Sequence, residues 1–256
     1  MSAFRWKFSV LMHSVAIIAV LRYIKNGHQL STHVKTVQIK GTGTQIPVGK
    51  MLCVGRNYAE HAREMNSAVP GSPIFFFKPA TAIIRSGEEV VLPSISRDVH
   101  HEVELTVLIG KEGTNIPENA ASDYIVGYGV GLDMTLRDVQ EEAKKKGLPW
   151  TLAKGFDTSA PLSEFVPIRR VANPGSLFLQ LLVNGTTRQH SGTNDMIFSV
   201  PRLIAYISQF ITLEQGDIIY TGTPQGVAQV KSGDSLEASL SDSTGTVLTS
   251  LSVHIR

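Results

Sequence analysis

Short apolar runs bounded by glycine, proline and polar residues recur along this chain, and helical spacing is the exception. Residues 51–55 read as a buried strand. Asn57 then offers an N-cap for a helix through Tyr58, His61 and Glu64, with Glu60 as its capping-box partner. Further strands are expected over 74–78 and 89–92. Residues 101–109 alternate through Glu102, Val103, Glu104 and Leu105 before turning wholly apolar, the pattern of a strand entering a core. Residues 124–132 form another strand, spaced by Gly127, Gly129 and Gly131 and ending on Asp133. The best-marked helix starts with Thr135 as N-cap and Asp138 three residues on, gathers Lys144 to Lys146 in its last turn, and stops at Gly147 with Pro149 beyond. Strands follow over 178–183 and 218–221, a helix over 200–210 has Pro201 at its first position, and the C-terminal third reads as short β segments. Strands outnumber helices without βαβ alternation, so a mixed β architecture is expected rather than a doubly wound sheet.

Residues 36–50 are rich in glycine and threonine and read as a linker or short edge strands. The chain thus divides into an N-terminal extension, 1–48, and a folded domain, 49–256. The single cysteine, Cys53, excludes an internal disulfide framework and a thiolate zinc cluster. The first acidic residue is Glu60, and eight of the 24 basic residues precede it, leaving 16 basic against 22 acidic afterwards. Those early charges are sparse, with no basic cluster or aromatic interleaving, so nucleic acid is not an expected partner. An acid-free segment containing the apolar run 8–21 suits a mitochondrial presequence, with a signal-peptide core or a packed helix as the other readings. The run is shorter than the roughly 20 residues a bilayer requires, so no stable membrane insertion is expected. A cytoplasmic location is the alternative.

Glu102 and Glu104, two apart on a strand, emerge on one face about 6.6 Å apart at the backbone. If both face an interior they repel by about 2 to 3 kcal/mol at an effective dielectric of 20, and a cation is their natural partner. A solvated strand face is the other reading. Asp133 is equally a loop acid or a ligand. Together, the all-oxygen set of Glu102, Glu104 and Asp133 suits a hard cation such as Mg²⁺ or Mn²⁺. His61 and Glu64 share a helix face, where the carboxylate can orient the imidazole, or the two are an ordinary surface pair. Lys154 sits in an apolar setting after Trp150 and is either solvated or functional. Thr221-Gly222-Thr223-Pro224 is a tight turn whose amides and hydroxyls can hold a carboxylate. No P-loop, nucleophile elbow or HExxH motif occurs, which removes the usual support for nucleotide hydrolysis, serine hydrolysis and zinc proteolysis.

The segments VGRNYAEHAREM, FFFKPATA, HHEVELTVLIG, DYIVGYGVGLDMTLRDVQ, KKKGLPWTLAKGFDTSAP, MIFSVPRLIAYIS and TLEQGDIIYTGTPQGV, between Met51 and Glu237, resemble the fumarylacetoacetate hydrolase superfamily, especially its acylpyruvase and oxaloacetate decarboxylase branch. The resemblance implies an α+β fold, a mixed β-roll of the C-terminal-domain type with a short lid helix, usually as a homodimer, with 49–256 as the catalytic domain. It implies Glu102, Glu104 and Asp133 as Mg²⁺ or Mn²⁺ ligands, a His61 and Glu64 dyad on the lid helix, and Lys154 as the active-site lysine. Arg56, Arg137, Gln140 and Thr223 fall where relatives contact substrate.

On that basis the expected reaction is metal-dependent carbon–carbon cleavage of a small 2-oxo acid, either acylpyruvate hydrolysis or oxaloacetate decarboxylation. His61 with Glu64 would activate water, and Lys154 would add positive charge near the developing enolate. Three carboxylates against a divalent cation and one lysine make a near-neutral site. An isomerase or tautomerase of 2-oxo dicarboxylates, such as an oxaloacetate keto–enol tautomerase, is the first rival, and the dyad weighs against it because moving a proton needs no activated water. A non-catalytic paralogue is the second.

Overall fold

The apolar run after Glu104 forms the centre of the molecule. In the computed structural model, which describes residues 34–256, all seven residues of the strand Val103–Ile109 are buried. Ile125–Leu132 pairs antiparallel along one edge and Ile218–Tyr220 antiparallel along the other. A strand covered on both faces needs apolar side chains on both, which is why the run does not alternate. The sheet has eight strands and is mixed. Its path runs Phe75–Lys78, Met51–Val54, Ile218–Tyr220, Val103–Ile109, Ile125–Leu132, Ala160–Leu162 and Ile83–Arg85, with Val166–Pro167 also paired to Ile125–Leu132. The glycine spacing in Ile125–Leu132 is a packing requirement: a Cβ on Gly131 would lie 2.6 Å from the Tyr220 ring and 2.9 Å from the Thr106 methyl.

A five-stranded sheet, in the order Thr186–Gly192, Phe178–Val183, Ser235–Ser241, Val247–Ile255 and Glu89–Val90, does alternate. Its inward residues, among them Leu179, Leu181, Leu236, Leu240 and Val253, join Leu105, Val107 and Val130 in one core. Asn184 and Gly185 both take left-handed φ, 51° and 74°, as a two-residue hairpin turn requires. The last two strands span seven and nine residues, longer than the short segments expected. Thr36–Gln38 and Gln45–Pro47 form a hairpin whose Val37 and Ile46 pack with Phe165 and Tyr220, and the compact unit comprises Lys35–Arg256. The apolar run 8–21 and the acid-free segment around it lie outside the described residues.

A small third sheet of Thr135–Leu136, Val99–His101 and Ala228–Gln229 decides where the site sits. The single strand expected over 101–109 is two strands, broken at Glu102, and the chain changes sheets at that residue. The neighbouring chain does the same at Asp133 and Met134, between Ile125–Leu132 and Thr135–Leu136. The two breaks lie level, and the Asp133 N–H donates to the Glu102 carbonyl at 2.8 Å.

Four α-helices are described: α1 (Ala59–Glu64), α2 (Arg137–Lys146), α3 (Thr151–Lys154) and α4 (Val200–Ile207). Two expected N-caps are otherwise engaged. Asn57 is buried, accepting from Phe198 N at 2.7 Å and donating to Phe198 O and Thr221 O, while α1 begins after Tyr58 with no side-chain cap. Thr135 is a strand residue and Leu136 occupies the N-cap position of α2. The other end of α2 is as expected, with Gly147 left-handed at φ 65°. In α4, Ser199 caps and Pro201 is the second residue rather than the first.

Candidate active site

Glu102, Glu104 and Asp133 each place a carboxylate oxygen within 4.8 Å of the others, and all three residues are buried. Glu102 and Asp133 come from the paired seam between sheets, and Glu104 from the first turns of the central strand. Burial pushes the Glu104 carboxyl well above the usual carboxylate range, and the charges of Asp133 and Glu102 push it further. Asp133 Oδ1 is buried with no hydrogen-bond partner, although Lys78 Nζ lies 2.8 Å away in ion-pair contact. A hard divalent cation fits this donor set: it takes carboxylate oxygens, occupies an unshared lone pair, and removes the repulsion that opposes ionisation of Glu104. The burial of both residues excludes the alternative reading of Glu102 and Glu104 as a solvated strand face.

Three buried cations surround the acids. Lys154, at the end of α3, donates to Glu102 at 2.8 Å, Asp133 at 2.6 Å and Thr135 Oγ1 at 2.7 Å. Burial opposes its charge, but Asp133 and Glu102 outweigh that and raise its pKa, which favours the ammonium form. Arg137 pairs with Glu102 and with Gln140 Oε1 at 2.8 Å. Burial likewise opposes ionisation of Glu102, yet Lys154 and Arg137 hold its carboxyl below the usual range. Lys78 donates to the carbonyls of Met134, Ser159 and Lys154, tying the α3 exit to Asp133. Lys154, Lys78 and Arg137 thus give Glu102 and Asp133 three cationic neighbours where a single lysine was expected, so a divalent ion leaves the site more positive than near neutral.

Beside the acids lies a cavity of ≈ 20 Å³ with Arg56, His61, Glu102, Arg137, Gln140, Lys144 and Lys154 on its wall. That volume holds about one water, so a four-carbon acid enters only if α1 or wall side chains move. His61 Nδ1 lies 3.2 Å from Glu64 Oε2, and Glu64 also accepts from the Gly226 N–H at 3.1 Å. A carboxylate only accepts, so the Nδ1 proton faces Glu64 and Nε2 keeps a lone pair. Burial lowers the His61 pKa despite Glu102 and Glu64, leaving the imidazole neutral near pH 7. His61 and Glu64 therefore form a directed pair.

Thr223 is buried but not on the cavity wall: its hydroxyl donates to Val103 O at 2.8 Å and accepts from Gln189 at 2.9 Å. The turn that carries it does hold a carboxylate, the protein's own, since the Gly222 N–H donates to Glu104 Oε2 at 2.7 Å. Arg56 donates to Ala68 O at 3.2 Å from the cavity rim. Two cations were not anticipated as site residues. Lys78 follows three phenylalanines in FFFKPATA, the same apolar setting that singles out Lys154. Lys144 reads as a last-turn helix lysine, yet its ammonium sits 5.3 Å from the Trp150 ring centroid and its side chain reaches the cavity.

Several known proteins resemble this chain. A mouse protein named mitochondrial oxaloacetate tautomerase FAHD1 is 55% identical over 190 residues, 74% of this chain and 86% of its own length. Its namesake from Arabidopsis thaliana is 50% identical over 191 residues, 75% of this chain and 86% of its own length. Among solved structures, fumarylpyruvate hydrolase from Pseudomonas aeruginosa in complex with Mn²⁺ and pyruvate superimposes with TM-score 0.82 at 38% identity, covering 89% of this chain and 98% of that one. The 2-hydroxyhepta-2,4-diene-1,7-dioate isomerase from Mycobacterium marinum gives 0.70 at 33%, covering 84% and 81%. The profile of the fumarylacetoacetate (FAA) hydrolase C-terminal domain matches residues 50–253. By that match and by its mixed, curled sheets, this chain belongs to the fumarylacetoacetate hydrolase family and has its fold.

Proposed function

We propose that this chain is a Mg²⁺- or Mn²⁺-dependent enzyme acting on a small 2-oxo dicarboxylate, with keto–enol tautomerisation of oxaloacetate as its main reaction. One observation carries the reading: three buried carboxylates bring oxygens within 4.8 Å of one another, and Glu102 among them lines a cavity walled by Arg56, Arg137, Lys144 and Lys154. Four basic side chains on the cavity wall suit a dianion.

Carbon–carbon cleavage stands first on the residues alone, but the relatives move tautomerisation ahead. Relatives at 50 to 55% identity carry the tautomerase name. The dyad is compatible with tautomerisation too, because a His61 Nε2 lone pair can accept a proton from carbon as well as from water. Glu102, Glu104 and Asp133 would hold the cation, which would supply Lewis-acid polarisation of a 2-oxo group. Arg137 and Gln140 hold the adjacent carboxylate, and Arg56 with Lys144 receive the distal one. His61 removes the C3 proton, Glu64 steadies the imidazolium, Lys154 adds positive charge where the 2-oxo oxygen becomes negative, and the imidazolium returns its proton to that oxygen, which completes the enol and restores neutral His61. Acylpyruvate hydrolysis or oxaloacetate decarboxylation is the second reading, favoured by the likeness to a fumarylpyruvate hydrolase holding Mn²⁺ and pyruvate.

Enol absorbance of oxaloacetate, followed with Mg²⁺ or Mn²⁺ beside pyruvate release from oxaloacetate and acylpyruvates, separates the readings. Glu102→Gln is expected to reduce every metal-dependent rate to background. Full activity of that variant in metal-depleted buffer would remove the cation from the reaction.

The names of the relatives support a mitochondrial location, which the mature N-terminus of the native protein tests. A homodimer is supported by the edge strand Phe75–Lys78, where Ile74, Phe77 and Leu148 are exposed around a ≈ 590 Å³ hollow.

A further inference from the structure

The sheet beside the acids lacks backbone partners at one place. Ile218–Tyr220 pairs with the central strand only as far as Thr106, and Thr221 N–H adds a bond to Leu105 O at 3.1 Å. Val103, between Glu102 and Glu104, lies beyond the end of that strand. Its peptide groups on the open edge are met by side chains instead. The Val103 carbonyl accepts from Thr223 Oγ1 at 2.8 Å, and the Val103 N–H donates to Gln189 Oε1 at 3.0 Å.

Gln189 comes from the five-stranded sheet, 86 residues away, and is 1% exposed. Its Oε1 also accepts from His101 Nδ1 at 3.0 Å, and its Nε2 donates to Thr223 Oγ1 and Pro224 O, both at 2.9 Å. Two acceptor sites and two N–H groups are thus all used. The Pro224 carbonyl and the Val103 N–H leave one orientation for the amide, which therefore clamps the peptide between the two glutamates to the turn whose Gly222 N–H holds Glu104.

We propose that Gln189 is a positioning residue for the metal-binding carboxylates: through the Val103 peptide and the 221–224 turn it sets the spacing of Glu102 and Glu104. The inference rests on the cation reading above. Groups that orient metal ligands without touching the metal are worth about 10- to 100-fold in affinity. Gln189→Met keeps the volume and removes all four bonds. Gln189→Asn keeps the amide but falls a methylene short.

The test is Mn²⁺ binding to the full metal-free chain, by electron paramagnetic resonance titration, with melting temperature measured in parallel. Each variant that folds is expected to bind Mn²⁺ about tenfold more weakly than the parent. Glu102→Gln serves as the control that removes a ligand. Binding by a folded Gln189 variant within twofold of the parent, with only the melting point lowered, makes Gln189 a purely structural residue and overturns the proposal. A parent chain that binds no Mn²⁺ overturns the cation reading itself, a distinguishable result.

Discussion

His61 sets the pH profile at the scale of single residues. Its pKa is lowered by burial, and only the neutral imidazole can take a proton. Activity should therefore be flat above the lowered pKa and fall as pH drops through it, so the acid limb lies below the ordinary histidine value of about 6.5. His61→Ala is expected to lose about 10²- to 10⁴-fold in kcat and to lose that limb with it. An acid limb that survives the substitution belongs to another group. The lysines show how far residue-scale reading reaches. Lys154 stands out because its neighbours are apolar, and Lys78, after three phenylalanines, meets the same criterion. Lys144 does not, because nothing in KKKGLPW distinguishes a cavity-facing lysine from a solvated one at a helix end.

Elements were legible where the local signal had no competitor. The αL glycine at 147, the strand Phe178–Val183 and the apolar centre of Val103–Ile109 all follow from local pattern. The expected caps at Asn57 and Thr135 did not form because both side chains found buried partners elsewhere, Asn57 with Phe198 and Thr221, and Thr135 with Lys154 and the Asp133 carbonyl. The glycines of Ile125–Leu132 belong to this scale as well. Gly131→Ala puts a methyl against the buried Tyr220 ring, and overpacking of this kind costs about 1 to 3 kcal/mol. In a domain this size the melting temperature should drop by about 2 to 4 °C for each kcal/mol. An unchanged melting point would mean that the Tyr220 ring yields without cost.

For the whole molecule, the edge strand Phe75–Lys78 is the exposed liability. It ends in Lys78, which pairs with Asp133, so an interface there would sit directly behind Lys78 and the acids. Sedimentation of the parent chain is expected to give a dimer, and Phe77→Asp, which puts a charge on a half-exposed apolar residue, is expected to give a monomer. A parent that sediments as a monomer at micromolar concentration removes the homodimer.

The sequence by itself determined which residue types could hold a hard cation, and that Asp133 lies at a strand end. It also determined the family, because those segments recur together over most of the described chain. Tertiary structure alone decided that Glu102 stands at a seam between sheets, that three cations rather than one surround the acids, and that Thr223 and Gln189 complete an unfinished sheet edge. The reason is physical. Periodicity encodes which face of an element turns inward, whereas the partner that satisfies a buried amide, hydroxyl or ammonium is chosen by chain segments brought together from up to 164 residues away.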